Sequence, residues 1–235
     1  MDVNAFIGMA ITEMMRKGVR IEIRECKKFR PHHCSYFSTS NWHKKPEFFI
    51  IYEKGESNSI FTTFVHEYCH FLQWKMKTPV FIESTPSLSK LQKWLNRDRK
   101  KLSMKHIRLI QRMELDCDRK ALAVIHKYEL PVDIDAYIQE ANSYILSYNY
   151  IHELRDFGVT ANAMTPEACR MMPDKHLLKM RQIEKGIQSH YDWCILNRSS
   201  PIDSQIDFSG DVGQGTCGDR EVTLASFPLT GGFGP

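Results

Sequence analysis

The chain has 235 residues, of which 42% are hydrophobic and 26% are charged, and its formal net charge is +4 at pH 7. This composition is typical of one large globular domain or two small ones, and it excludes a disordered or fibrous protein. Apolar runs stay shorter than the roughly 18 residues that a membrane helix needs, and the N-terminus lacks the basic region of a signal peptide. Seven cysteines without a CxxC pair are typical of free thiols, so we expect a cytoplasmic protein without a membrane partner.

Hydrophobic periodicity predicts the secondary structure of the first third of the chain. Apolar residues recur at helical spacing or alternate with charged residues, and glycine and proline mark the ends of these segments. The predicted elements are a helix over 2–17, a strand over 19–24, a loop over 26–46, a strand over 48–52 and a helix over 60–75. The helix over 60–75 is apolar nearly all round, so we expect it to be buried on most sides.

The remainder up to residue 196 is predicted to be mostly helical. Breaks are expected at Thr78-Pro79 and over 83–89, and the predicted helices are 88–97, 103–128, 132–157 with a break, and 175–196. Residues 197–235 are glycine-rich and carry a net charge of −3, against +7 for residues 1–196, which predicts an extended acidic arm. We therefore expect an α+β domain over 1–196, with a small N-terminal sheet and a mostly helical remainder, followed by the arm.

The helix predicted over 60–75 contains the sequence His66-Glu67-Tyr68-Cys69-His70, an HExxH motif. Positions i and i+4 lie one turn apart on one helix face, so two imidazoles there can bind one zinc ion. Glu67 can reach a water molecule at that ion, whose pKa zinc lowers to about 7, and can take its proton. The motif therefore predicts one zinc ion and peptide-bond hydrolysis, with Glu67 as the general base.

A catalytic zinc ion needs a third protein ligand, and the helix predicted over 103–128 offers candidates. The carboxylates of Glu114 and Asp118 interrupt an otherwise apolar stripe of this helix. Buried carboxylates are normally paired or bind a metal. Glu114 is the first candidate ligand, with Asp118 accepting the other N–H of a ligating histidine. Asp116, Asp118 and His106 remain alternative ligands.

An HExxH motif followed by a downstream ExxxD, here Glu114 and Asp118, resembles the gluzincin zinc metallopeptidases. Short strands before the HExxH helix and a helical remainder resemble the compact cytosolic gluzincins of the ImmA/IrrE type, which are often found in phage and mobile-element settings. The resemblance covers residues 19–128 and implies an intracellular metalloendopeptidase, in a setting that includes virus-encoded proteins. The roles that it implies are the zinc ligands His66, His70 and Glu114, the general base Glu67, and Asp118 as the partner of a ligating histidine.

The sequence also raises expectations about partners. Residues 90–112 contain nine basic residues and one acidic residue, a net charge of +8, and could bind nucleic acid or an acidic protein. A solvated helical surface is the alternative. The substrate is expected to be a protein or peptide that adds as a strand to an exposed edge of the strand over 48–52. The alternative function is a catalytically silent structural or interaction protein, in a phage or nucleic-acid-associated assembly.

Further side chains could bear on the metal site. Cys26, His32, His33 and Cys34 could bind a second metal ion, but their spacing matches no common zinc module, which favours a plain loop. Cys217 in the arm could cap the zinc ion and hold the enzyme latent, and the other cysteines are expected to lie outside the metal site. The oxyanion of the transition state needs a donor. The candidates are Tyr128, His126, Tyr144, Tyr148, Tyr150 and His152.

Overall fold

Helices make up most of the described chain, and three strands form one small sheet near the N-terminus. The computed structural model describes residues 1–26, 35–39, 46–53, 57–98 and 100–197. The strands are β1 (Arg20–Cys26), β2 (Tyr36–Ser38) and β3 (Glu47–Glu53). The helices are α1 (Val3–Arg16), α2 (Ser57–Lys75), α3 (Pro79–Leu95), α4 (Met104–Tyr128), α5 (Ile134–Leu154), α6 (Val159–Ala163), α7 (Pro166–Cys169), α8 (Met180–Lys185) and α9 (Gln188–Leu196). The predicted α+β class is confirmed, and no helix in these described ranges is long and apolar enough to span a membrane.

β3 is the central strand of the sheet. It runs parallel to β1, where Ile23 lies opposite Ile50, and antiparallel to β2, where Phe37 lies opposite Phe48. Phe48, Phe49 and Ile50 are all buried, as expected of a strand that is covered on both faces. The prediction that this strand offers a free edge to a substrate is wrong on the β1 side, which is paired along the whole strand, and over Glu47–Phe49 on the other side, where β2 pairs. β2 itself forms within the segment that was predicted to be a loop.

The described residues divide into two compact units. The first unit comprises Met1–Leu72 and Ala123–Val132, and so contains α1, the sheet, most of α2 and the C-terminal end of α4. The fully buried ring of Phe6 lies at its centre, with ring centroids 6.1 Å from Phe61 and 6.3 Å from Phe64. Both pairs are close to perpendicular, a favoured geometry for aromatic rings. This cluster joins α1 to the beginning of α2.

α1 ends where the sequence predicts. Gly18 follows the helix with a φ of 76°, in the left-handed region that side chains other than glycine rarely adopt. This conformation lets the Val19 N–H donate to the Met14 carbonyl at 3.1 Å, which closes the helix before β1 begins. The glycine therefore sets the direction in which the chain enters the sheet.

The second unit comprises Gln73–Leu122 and the described residues from Asp133 onward. Its core draws buried side chains from α3, α4 and α5, including Leu91, Trp94, Ile107, Ile110, Leu115, Ile145, Leu146 and Ile151. The Gln111 amide is fully buried among them and donates to the Ile145 carbonyl at 3.0 Å and to Asn149 Oδ1 at 2.9 Å. Because a buried amide is costly without its hydrogen bonds, these contacts hold α4 and α5 in register.

α3 runs through the segment 83–89 that was predicted to be a polar break, although it contains Pro86. The hydroxyls of Ser84 and Thr85 in this segment donate to backbone carbonyls instead of starting a turn. Ser84, which is fully buried, donates through Oγ to the Leu109 carbonyl of α4 at 2.7 Å. The prediction is wrong here because a tertiary hydrogen bond compensates for the weak helix propensity of the local sequence.

The helix predicted over 175–196 is two short helices, α8 and α9, and residues 175–179 precede them without helical structure. Gly186 separates the two helices with a φ of 69°. Its N–H donates to the Gln182 carbonyl at 3.0 Å and closes α8. Because glycine adopts this backbone conformation easily, the chain turns at this point before α9 begins.

A buried polar network surrounds His190 of α9. Ser143 Oγ donates to the Ala163 carbonyl and lies 2.6 Å from His190 Nε2, and the Tyr150 hydroxyl lies 2.7 Å from Nδ1. Because Ser143 donates its proton to Ala163, it accepts from the Nε2–H, which leaves Nδ1 to accept from Tyr150. Burial lowers the pKa of His190 to about 4. The imidazole is therefore neutral near pH 7, with both nitrogens hydrogen-bonded.

The described cysteines include four buried free thiols: Cys69, Cys117, Cys169 and Cys194. The prediction of free thiols is confirmed for these four. Burial raises the pKa of Cys169 to about 11 and that of Cys194 to about 12, so both are protonated near pH 7. The other candidate ligands His32, His33, Cys34 and Cys217, and the arm from residue 198 onward, lie outside the described residues.

Candidate metal centre

His66, Glu67 and His70 lie in the middle of α2, as the sequence predicts. The two imidazoles are one turn apart, with ring centroids separated by 4.8 Å and planes at 84°. Glu67 and His70 are each 7% exposed, whereas His66 is partly exposed. The neighbouring Phe64 and Val65 are fully buried, so apolar packing fixes the helix on which the motif lies.

The two imidazoles belong to a group of three side chains that could hold a metal ion. One ligand atom from each of His66, His70 and Cys117 lies within 4.8 Å of the others. Cys117 is fully buried on α4. Imidazole nitrogen and cysteine sulfur are typical ligands of zinc. Cys117, which the sequence analysis placed outside the metal site, is thus a member of this three-residue group.

Glu114, the predicted third ligand, is 4% exposed on α4. Its Oε1 accepts a hydrogen bond from the Tyr148 hydroxyl at 3.3 Å, and that hydroxyl lies 3.0 Å from the hydroxyl of Tyr144. Burial, and then the proximity of Tyr144 and Glu114, raises the pKa of Tyr148 well above its usual range. Tyr148 therefore remains a proton donor toward the Glu114 carboxylate, whose role as a metal ligand stays a prediction.

Asp118 is 1% exposed, and its Oδ1 accepts from the Tyr137 hydroxyl at 2.8 Å. The predicted stripe of α4 is confirmed, since all of its members are buried: Ile107, Ile110, Glu114, Asp118, Ala121 and Ile125. Two acidic side chains therefore do lie on the apolar face of this helix. The role of Asp118 as the partner of a ligating histidine stays a prediction.

The two other alternative ligands, Asp116 and His106, have protein partners. The Asp116 carboxylate accepts from Lys120 Nζ at 2.8 Å and from Gln73 Nε2 at 2.7 Å. His106 Nδ1 lies 3.1 Å from Ser87 Oγ. These contacts account for the two side chains without a metal ion, and neither belongs to the three-residue group described above.

The structure separates the candidate oxyanion donors of α5 into two sets. The Tyr150 hydroxyl bonds to His190, and His152 stacks on Trp94 with centroids 5.8 Å apart, so both have structural contacts. Tyr144 and Tyr148 lie instead in the hydrogen-bond chain that leads to Glu114. The predicted cluster thus contributes to two different parts of the second unit.

Comparison with known proteins assigns no family to the chain. No protein-family model, curated protein or solved structure matches it. The gluzincin resemblance therefore depends on the motif residues themselves.

Proposed function

We propose that the protein is a zinc-dependent metallopeptidase that hydrolyses peptide bonds of a protein substrate. The main support is the pair of imidazoles, those of His66 and His70, on a mostly buried helix, with Glu67 next to the first of them. Glu67 and His70 are each only 7% exposed. Burying ionisable groups is costly, and coordination of a metal ion is one of the arrangements that compensates for the cost.

The chemistry of the donors fits zinc. A tetrahedral zinc ion holds its nitrogen and sulfur ligand atoms roughly 3.5 Å apart. Ligand atoms of His66, His70 and Cys117 that already lie within 4.8 Å of one another need only small side-chain movements to surround such an ion. Catalytic zinc sites use three protein ligands and keep a fourth position open, whereas structural sites use four. A centre held by these three side chains would leave the fourth position open for a water molecule and the substrate.

The residues of α2 would divide the reaction between them. When bound, zinc lowers the pKa of a water molecule and polarises the carbonyl of the substrate. His66 and His70 would hold the ion, and Glu67 would act on protons. Its carboxylate accepts the proton of the attacking water and passes it to the amine of the leaving fragment, so it ends in its starting state. Exclusion of bulk water around Glu67 strengthens its interaction with the reacting groups.

Two side chains compete for the third ligand position. The gluzincin resemblance implies the carboxylate of Glu114, whereas the thiol of Cys117 belongs to the group with the two imidazoles. Both residues are buried on α4, and they are three positions apart in the sequence. A carboxylate ligand would make the centre gluzincin-like, and a thiolate ligand would make it a site of two histidines and one cysteine.

Glu67→Gln tests the proposed enzyme because it removes the base and keeps the shape of the side chain. We expect one zinc ion per chain by mass spectrometry in the wild type and in Glu67→Gln, and loss of the metal in His66→Ala. Cleavage of unfolded casein, followed by peptide mass spectrometry, should fall by at least about 100-fold in Glu67→Gln. Glu83→Gln, at an exposed position of α3, is the matched control and should cleave like the wild type.

The outcomes of this experiment separate the two functions. If the wild type binds zinc but cleaves neither casein nor a partner protein, the result favours the catalytically silent interaction protein. A wild type that binds no zinc refutes the metal centre altogether. Equal activity in Glu67→Gln and the wild type contradicts the assignment of the base.

Cobalt substitution identifies the third ligand. Cobalt bound to a thiolate gives a strong sulfur-to-metal charge-transfer band in the near ultraviolet, which a carboxylate ligand does not give. If Cys117 is the ligand, Cys117→Ser removes this band and weakens cobalt binding, whereas Glu114→Gln keeps the band and the affinity. If Glu114 is the ligand, the band is absent from the wild type and Glu114→Gln is the variant that loses metal.

A further inference from the structure

The turn between α3 and α4 presents a group of cationic side chains that the proposed active site does not use. They are all exposed, and we refer to them as the basic turn: Lys93, Arg97, Lys100, Lys101 and Lys105. None of them forms an ion pair within the described part of the chain. Asp98 is the acidic residue among them, so the described exposed residues over 93–105 keep a net charge of +4.

Among the described residues, the ion pairs of the basic run lie beyond the basic turn. Further along α4, Arg108 Nε lies 3.4 Å from Glu184, and Arg112 Nη1 lies 3.9 Å from Glu83. The predicted basic run over 90–112 is thus not uniform, because its later part is balanced by carboxylates. The uncompensated charge is concentrated where α3 ends and α4 begins.

Hydrogen bonds join the backbone of the turn to the C-terminal part of the chain around α5, both at the end of α3 and before the beginning of α4. Arg155 donates to the Trp94 carbonyl through Nε at 2.8 Å, and its guanidinium lies 5.1 Å above the Trp94 ring. His152 Nε2 lies 2.9 Å from the Leu102 carbonyl. These contacts fix the end of α3 and the approach to α4, so the cations are displayed on a preformed support and binding would require little ordering of backbone.

Within the part of the chain that the structure describes, the charge arrangement is unfavourable. The first turn of α4 contains no acidic residue and carries Lys105, although the N-terminus of a helix prefers negative charge. Like charges on neighbouring positions, as at Lys100 and Lys101, add repulsion. A bound polyanion relieves both effects at once.

We infer that the basic turn is a docking surface for the phosphate backbone of double-stranded nucleic acid. The apolar side chains of the turn, Trp94 and Leu102, are only 6% and 8% exposed, so the described surface offers charge without an apolar centre. Protein–protein interfaces depend on such a centre, and single strands bind through exposed aromatic rings that stack on bases. A surface of lysines without either feature matches a duplex that is read by its charge and not by its sequence.

Fluorescence anisotropy with a labelled duplex of about two helical turns tests this inference. Binding by the full-length chain should weaken with salt, with a slope of log K against log salt near −4.5 if all five cations contact phosphates. The triple variant Lys100→Gln/Lys101→Gln/Lys105→Gln should reduce the magnitude of that slope by about 2.7 and weaken binding by about tenfold or more. Duplexes of scrambled sequence should bind equally well.

A matched variant removes the same charge from other exposed positions. Lys17→Gln/Lys77→Gln/Lys185→Gln should leave the affinity and the salt slope unchanged, since these exposed lysines lie outside the basic turn. Circular dichroism confirms that both triple variants are folded. An equal loss in the two variants, tighter binding of the same single strand than of the duplex, or binding of polyglutamate in place of the duplex would overturn the inference. Glu67→Gln should bind the duplex normally, because docking is independent of peptide hydrolysis.

Discussion

Acid should destabilise the protein through His190, because the hydrogen bonds around this residue favour its neutral form. Ser143 and Tyr150 together satisfy the neutral imidazole, and burial lowers the pKa of His190 to about 4. In the unfolded chain the same group titrates near 6.5. A proton is therefore bound more tightly by the unfolded chain, so the folded state loses stability as the pH falls from about 6.5 toward 4.

The size of the effect follows from the two pKa values. Each unit of difference corresponds to about 1.4 kcal/mol, so the full shift is worth about 3 kcal/mol below pH 4. At intermediate pH the loss is partial, about 0.8 kcal/mol at pH 6 and about 2 kcal/mol at pH 5. Above pH 7 the contribution is close to zero. Other groups also titrate in this window, so His190 has to be isolated by comparison with a variant.

His190→Gln provides that comparison, because glutamine is polar but does not titrate. Urea unfolding followed by tryptophan fluorescence at pH 7.5, 6 and 5 gives the free energy of unfolding of both proteins. The variant should be less stable at pH 7.5, since it loses buried hydrogen bonds, but the difference should shrink by about 2 kcal/mol at pH 5. Parallel pH profiles would refute the reasoning, as would an NMR titration of His190 with a pKa near 6.5 in the folded protein.

Four substitutions test the packing, each by the change in the free energy of unfolding in urea. Gly8→Ala should raise it by about 1 kcal/mol, because Gly8 lies exposed inside α1 with nothing within 4 Å of an added Cβ. Gly18→Ala should lower it by about 1–2 kcal/mol through backbone strain alone. Equal effects of Gly8→Ala and Gly18→Ala would contradict the end of α1 before Gly18. Phe6→Ala should lower the free energy of unfolding by about 3–5 kcal/mol, whereas a loss of less than about 1 kcal/mol would show that Phe6 is not central to the core of the first unit. Arg155→Met should lower it by about 1–3 kcal/mol because the Trp94 carbonyl loses a charged donor, and an unchanged value would contradict the support proposed for the basic turn.

The features that could be predicted from the sequence are those governed by a repeated spacing. The burial of Glu114 and Asp118 follows from the apolar residues at spacings of three and four around them, which place the whole stripe of α4 in the core. The adjacency of His66 and His70 follows from the helix period alone.

The features that were missed depend on partners distant in sequence. Ser84 stays helical because its hydroxyl donates to the carbonyl of Leu109. The sequence near Ser84 contains no pattern that predicts this distant partner. β2 is three residues long and forms beside β3, too short for alternation to be recognised. Cys117 did leave a signal, since it follows Glu114 by three positions and so lies on a neighbouring part of the α4 surface. The same helix periodicity that points to Glu114 therefore also points to the thiol of Cys117.

The two buried thiols near His190 have a practical consequence for studies of this protein. With a pKa of about 11, roughly one in ten thousand Cys169 thiols is ionised at pH 7, and Cys194 ionises less still. A thiol reagent needs both the thiolate and access to it, so labelling requires the α5–α9 core to open first. The rate at which Cys169 and Cys194 are modified, measured peptide by peptide, therefore times the spontaneous opening of that core under native conditions.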